Sequence, residues 1–232
     1  MAKKRKLDFS KEPPASLADY SFYGYALDDD QKAFAEAIYS DENDIIFCNA
    51  PAGTGKNLVA FGTANILCGF GKFDEIVYIV SPYGERKQGY LPGDIQAKSS
   101  VYYDPLYQAA VSCGVNPNVS ISQDGLDGCG GYITCITDTY LRGVNLKNRK
   151  IVIIDEAQNF AVPQLKKTLT RIGTDVKTIV IGHDKQCDLD EPATSGFTKY
   201  IEHFRGKPRC VVCELHTNHR GWVSQWADEL EE

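Results

Sequence analysis

Asp44-Ile45-Ile46-Phe47-Cys48-Asn49, followed by Ala50-Pro51-Ala52-Gly53-Thr54-Gly55-Lys56-Asn57, is the stretch from which the rest of the chain can be read. A short apolar run enters a glycine-containing loop. Lys56–Leu67 then spaces Val59, Ile66 and Leu67 for the inner side of a helix, with Gly69 and Gly71 beyond its end. Strand, loop, Gly-Lys and helix in that order form the context of the phosphate-binding pattern G-x-x-x-x-G-K-[ST]. Glycines let the backbone curl so that successive N–H groups face phosphate oxygens, and the helix N-terminus adds partial positive charge. Lys56 is placed to reach β- and γ-phosphates. The plainer alternative is a flexible strand–helix turn with an incidental lysine.

Two positions depart from the pattern. Ala50 stands at its first glycine, and a positive φ there would cost about 1–2 kcal/mol. Asn57 stands where Ser or Thr would ligate magnesium. An amide offers a carbonyl oxygen on a longer, flatter arm, which predicts a weaker or water-bridged contact with an octahedral ion. Such changes spare nucleotide binding more readily than fast turnover.

Outward from this core, an acidic start at Asp28, Asp29 and Asp30 predicts a helix with Phe34, Ala37 and Ile38 on one face. Further apolar runs lie at Glu75–Ser81, Tyr132–Thr137, Lys150–Asp155 and Lys177–Gly182. Val152-Ile153-Ile154 and Ile179-Val180-Ile181 lack polar alternation, as parallel strands covered on both faces do. Between the last two runs, Pro163, then Leu165, Leu169 and Ile172, and a closing Gly173 mark a helix. Arg209–Leu215 reads as a last strand, and Cys113–Gly131 as a long loop or insertion. Strand alternating with helix predicts an α/β fold with a mostly parallel central sheet flanked by helices. Residues 1–19 read as a tail or surface strap, and 20–232 as a single domain with no repeat and no linker.

Ile151-Val152-Ile153-Ile154-Asp155-Glu156 is the second chemical element. At the C-terminal edge of a buried strand, Asp155 would hold magnesium directly or through water, and Glu156 would orient or deprotonate the attacking water. Acidic pairs after apolar strands are common, so the pair gains its meaning from the phosphate loop earlier in the chain. Gln186, after the Lys177–Gly182 run, is a candidate γ-phosphate or water sensor, with loop capping as the alternative. Arg220 could neutralise charge on the γ-phosphoryl, in its own chain or across a subunit interface, or be a plain surface arginine.

Composition bounds the rest. The chain has 232 residues, 43% hydrophobic and 24% charged, with a formal net charge of −6. That charge argues against broad affinity for duplex DNA but not against a local basic groove. The basic run Lys3–Lys6 is read as a solvated tail, with nucleic-acid contact as the sharper alternative. No apolar run approaches the roughly 18 residues of a membrane span, and no apolar segment follows the basic start, so a cytoplasmic protein is expected. The eight cysteines are scattered, which suits reduced thiols. Cys210 and Cys213, with His216 and His219, suggest zinc, but residues three apart on a strand face opposite ways.

Taken together, these motifs resemble the PhoH family of ATPases. Pro51–Lys56 (PAGTGK) matches its phosphate-loop wording. Gly89–Asp94 (GYLPGD), Lys98, Pro105-Leu106-Tyr107 and Tyr140–Gly143 are similar to its next segments. Ile153–Asn159 (IIDEAQN), Gln164, Leu169–Gly173 (LTRIG), Gln186, Asp188-Leu189, Ser195-Gly196 and Arg220 continue the pattern. The resemblance runs from about Gln31 to the end. It implies a RecA-like P-loop NTPase core related to superfamily-one helicases, with ATP as nucleotide beside the Mg2+ expected at Asn57 and Asp155. It also implies ring-shaped homo-oligomers and a link to RNA. It makes Gln31 a reader of adenine. Ser81 and His183 replace an arginine and an aspartate expected on that pattern, with Asp184 shifted by one position.

Three functional readings follow from the sequence. One is an ATPase that remodels RNA or single-stranded DNA, carried by Lys56, Asp155, Glu156 and Gln186. This chain has length for one RecA-like lobe, so unwinding would require self-assembly. Tyr102, Tyr103 and Tyr107, or the glycine-rich loop, could stack on bases, or the tyrosines could simply pack. Another is a nucleotide-dependent switch or scaffold with weak hydrolysis, suggested by Ala50, Asn57 and His183. A small-molecule kinase would need an acceptor pocket and lid arginines that the sequence does not reveal.

Overall fold

The computed structural model describes residues 5–82, 100–123, 131–141 and 146–228. The segments Gly89–Asp94, Lys98 and Arg142-Gly143, together with Lys3 and Lys4, lie outside the described residues. Helix α1 (Asp29–Tyr39) leads to β1 (Ile45–Asn49), α2 (Lys56–Gly69) and β2 (Glu75–Val80). After α3 (Asp104–Ser112) come β3 (Ile121–Gln123), β4 (Ile133–Thr137), β5 (Lys150–Ile154), α4 (Val162–Leu169) and β6 (Lys177–Gly182). The chain closes with α5 (Phe197–Phe204), β7 (Cys210–Glu214) and α6 (Trp222–Asp228).

Among the described residues the strands form one seven-stranded sheet in the order β3-β4-β2-β5-β6-β1-β7. Every pairing is parallel. Side chains alternate along each strand, yet both faces are apolar. Ile46 and Cys48 of β1, with Ile151 and Ile153 of β5, enter the core beneath α1, α2 and α3. Phe47, Val152 and Ile154 enter a second core, which Leu165 of α4 and Phe197 and Ile201 of α5 complete. Continuous apolar runs are what such a doubly covered sheet requires.

The sequence expectation is met for the α/β class, and three details differ. Ala35, not Ala37, is fully buried on α1, because Phe34, Ala35 and Ile38 share the face toward α2. Within Cys113–Gly131 the chain forms a helical turn (Pro117–Ser120) and the edge strand β3, which pairs with β4 from Ile121↔Ile133 to Gln123↔Cys135. Three residues carry no period of their own, so this strand exists through its neighbour. Helix α4 stops at Leu169. Ile172 then bridges Leu146, and Gly173 donates its N–H to the Leu146 carbonyl at 2.9 Å. Tyr103 is fully buried, and Tyr102 and Tyr107 are partly buried against the same core, in line with the packing alternative.

Residues ahead of α1 touch its outer side. Arg5 pairs with Tyr20, Leu17 is buried, and the Leu17 N–H donates to Glu36 at 2.7 Å. Strand β7 puts Cys213 against the first core and Cys210 against the second, so the two thiols face opposite ways. Among the described residues no helix is long and apolar enough to cross a membrane.

Candidate functional site

The C-terminal ends of β1, β5 and β6 meet at one crevice, where open parallel sheets place their ligands. Gly55 has φ +79° and turns the chain into α2, whose N-terminus has no side-chain cap. Gly53 is also left-handed, at φ +84°. Ala50 is buried and is not among the positive-φ residues, so the alanine costs no strain; its N–H donates to the Gly182 carbonyl at 2.9 Å. An uncapped helix start leaves N–H donors for a ligand, and the macrodipole favours an anion.

The carbonyls of the loop are fastened one after another. Thr54 Oγ1 donates to Pro51 O (2.9 Å) and Asn218 Nδ2 to Ala52 O (3.2 Å). The His219 N–H donates to Gly53 O (2.9 Å) and Gln31 Nε2 to Thr54 O (2.8 Å). In a trans peptide the N–H points opposite to the C=O. The N–H groups of Gly53, Thr54 and Gly55 are therefore turned away from these donors. Gly53 and Gly55 line a cavity of about 520 Å³, as do Ala52, Lys56 and Asn57. Glu156, Gln186 and Arg220 also line it, and α3 contributes Asp104, Gln108 and Ser112.

Behind that lining sits a polar knot. Asn57 Nδ2 donates to Asp155 Oδ2 at 2.9 Å, while Asn57 Oδ1 is buried and has no hydrogen-bond partner. The buried Tyr78 hydroxyl donates to the same Oδ2, and the Glu156 N–H donates to Asp155 Oδ1 at 2.8 Å. Burial, followed by the charge of Glu156, raises the Asp155 carboxyl to about 6, against the pull of Tyr78 and Lys56. Burial likewise pushes Tyr78 well above the ordinary phenol range, with Asp155 adding to it. A hydroxyl at position 57 could donate to the aspartate and offer a lone pair with one atom. Asn57 divides these tasks between two atoms, and its unpartnered Oδ1 is a hard oxygen suited to magnesium.

Glu156 adopts φ +49°, a left-handed conformation that costs a non-glycine residue about 1 kcal/mol and turns the chain sharply after β5. Gln158 Nε2 donates to Glu156 Oε2 at 2.5 Å and to the Gln186 carbonyl at 3.1 Å. Gln158 Oε1 accepts from the His183 N–H at 2.9 Å. Asp184 instead donates its N–H to Asn49 Oδ1 at 3.1 Å.

Of the residues singled out from sequence, Ala52, Gly53, Gly55, Lys56, Asn57, Glu156, Gln186 and Arg220 surround one cavity. Ala50, Pro51, Thr54 and Asp155 support it from behind. Gln31 is buried: its Nε2 holds Thr54 O, and its Oε1 accepts from the Asp28 N–H in a capping box. Tyr78, Gln158, Asn218 and the α3 residues were not foreseen. Their roles depend on contacts far apart in sequence, such as the separation of 77 positions from Tyr78 to Asp155.

The family model described as PhoH-like protein matches residues 25–225. Protein PhoH of Escherichia coli (strain K12) is 33% identical over 202 residues, covering 82% of this chain and 55% of that protein. A PhoH-like protein of Synechocystis sp. is 35% identical over 168 residues, covering 72% and 48%. The chain thus spans about half the length of these relatives. Among solved structures, the large terminase of a thermophilic bacteriophage superposes with a TM-score of 0.55 at 14% identity, covering 87% of this chain and 48% of that one. That likeness is one of fold.

Proposed function

The chain belongs to the PhoH-like family, with a P-loop NTPase-like fold, and from that premise we propose that it is a magnesium-dependent ATPase. The observation that carries the reading is the Asn57–Asp155 hydrogen bond, which joins the phosphate loop to the acidic strand end across 98 residues of sequence. Binding would place the β- and γ-phosphates at the N-terminus of α2 and at Lys56. Asn57 Oδ1 and Asp155 would hold magnesium, which when bound neutralises charge on the phosphates. Glu156, fixed by Gln158, is the base for the attacking water, and Gln186 stands beside it as sensor. Arg220 lies on the cavity wall of its own chain, where it would offset charge on the γ-phosphoryl.

We further propose that hydrolysis drives remodelling of RNA or single-stranded DNA in a cytoplasmic homo-oligomer, with residues 20–232 acting as one domain strapped by residues 1–19. The reading is supported by the resemblance of the motifs to that family. The competing reading, a nucleotide-dependent switch with little turnover, draws on Asn57. Retention of a positioned Glu156 favours the ATPase.

Steady-state ATP hydrolysis with magnesium, with and without single-stranded RNA, tests this beside a Glu156→Gln control. Turnover abolished in the control is expected, with RNA raising it. Binding of ATP without turnover would overturn the ATPase in favour of the switch.

A further inference from the structure

We infer that Asn218 is a positioning residue that sets the phosphate cradle and Arg220 with one side chain, an inference that rests on the nucleotide-binding reading above. Asn218 follows β7, in the segment that crosses the phosphate loop. Its Nδ2 donates to Ala52 O at 3.2 Å and to Ser224 Oγ, on α6, at 3.0 Å. Its Oδ1 accepts from the Arg220 N–H at 2.8 Å. One amide therefore grips the loop, the first turns of α6 and the backbone of the arginine.

The approach is close. A Cβ on Gly53 would lie 2.8 Å from Asn218 Oδ1 and 3.1 Å from Arg220 Cγ and Cδ. Gly53 is needed here for contact as well as for its positive φ. The neighbouring residue closes a circuit. His219 donates its N–H to Gly53 O at 2.9 Å, and its ring meets Asp28 Oδ2, also at 2.9 Å. Asp28 caps α1 together with Gln31, whose Nε2 returns to Thr54 O. Consecutive loop carbonyls are thus tied through Asn218 and His219 to the same segment that carries Arg220.

Two consequences follow for the reaction. Outward-held carbonyls keep their partner N–H groups aimed without reorganisation when phosphate arrives. The arginine's backbone is also referenced to that cradle, so its reach to the γ-phosphoryl is fixed within one chain. Both tasks require a donor and an acceptor on one planar group. Aspartate keeps the acceptor for the Arg220 N–H but sets a carboxylate against Ala52 O, and leucine keeps neither.

The test measures kcat, KM for ATP, and the nucleotide-free melting temperature on the full chain and its variants. Asn218→Leu is expected to lower kcat and raise KM, each by about tenfold. Asn218→Asp is expected to raise KM about tenfold while holding kcat within about threefold, and Arg220→Ala to do the opposite. Identical kinetics in the Leu and Asp variants, or a change in melting temperature with kinetics untouched, would reduce Asn218 to a structural residue and overturn the inference. Wild-type protein that binds no ATP would remove the underlying reading as well; wild-type turnover with indifferent Asn218 variants would remove this one alone.

Discussion

Asn57 donates Nδ2–H to Asp155 Oδ2 at 2.9 Å and leaves its own Oδ1 buried with no partner. A polar atom so placed is costly unless a ligand satisfies it. If Oδ1 is a magnesium ligand, Asn57→Ala should raise the magnesium concentration for half-maximal turnover by about 10- to 100-fold. ATP affinity in excess chelator should stay within about threefold, because the cradle is built from backbone. Asn57→Thr should restore the wild-type magnesium response. A large gain of turnover in that variant would instead show that asparagine damps the native site.

Asp155 is held ionised at some expense to the fold. Its folded value of about 6 lies above the ordinary 3.8 because burial and Glu156 disfavour charge. Between those values the folded state binds more protons than the unfolded one, so stability from this group falls as pH rises through the window and stays lowered above it. Asp155→Asn should therefore abolish turnover, and in the magnesium-free protein its stability relative to wild type should be greater at pH 7.5 than at pH 4.5. Denaturant melts of both proteins at pH 7.5 and pH 4.5 check this.

Gln158 joins Glu156, the Gln186 carbonyl and the His183 N–H, and a Cβ on Gly182 would come within 2.6 Å of its Oε1. It touches the candidate base and the loop that carries the candidate sensor. Gln158→Ala should lower kcat about 30-fold with KM for ATP nearly unchanged, the pattern of a lost transition-state geometry. Gly182→Ala should reproduce that pattern by displacing the same amide. An unaltered kcat in both variants would show that Glu156 needs no such support.

The contrast between Lys56 and Gln158 shows what a sequence discloses. The phosphate loop, β1 and β5 are contiguous, and each carries its chemistry and its apolar run in neighbouring residues. The positions of Lys56, Glu156 and Gln186 around one cavity follow from strand ends that any parallel sheet gathers at one edge. By contrast, β3 has a single buried aliphatic residue, Ile121, and owes its existence to pairing with β4. Tyr78 and Asn218 look like a strand aromatic and a loop polar residue. Only the register of β2 on β5 brings the phenol beside Asp155, with Tyr78 opposite Ile153. Side-chain amides in particular take their meaning from tertiary partners, because the same group can cap, staple or contact a ligand.

Lys177 provides a test of the fold remote from the cavity. It opens β6, is buried, and donates Nζ–H to the carbonyls of Ser40 (2.7 Å) and Asn43 (2.6 Å), which close the turn between α1 and β1. Replacement by methionine fills similar volume but strands both carbonyls, and should cost about 2 kcal/mol at pH 7. Burial first, opposed by Asp41 and Asp44, lowers the ammonium from 10.5 to about 8. Between these values the unfolded chain binds more protons than the folded one, so the contribution of Lys177 to stability rises as pH rises through that window. Wild-type protein should therefore gain up to about 3 kcal/mol relative to Lys177→Met between pH 7.5 and pH 10, read from urea melts of both. A constant gap across that range would mean that the lysine stays charged when buried and that its two carbonyl bonds outweigh the loss of water.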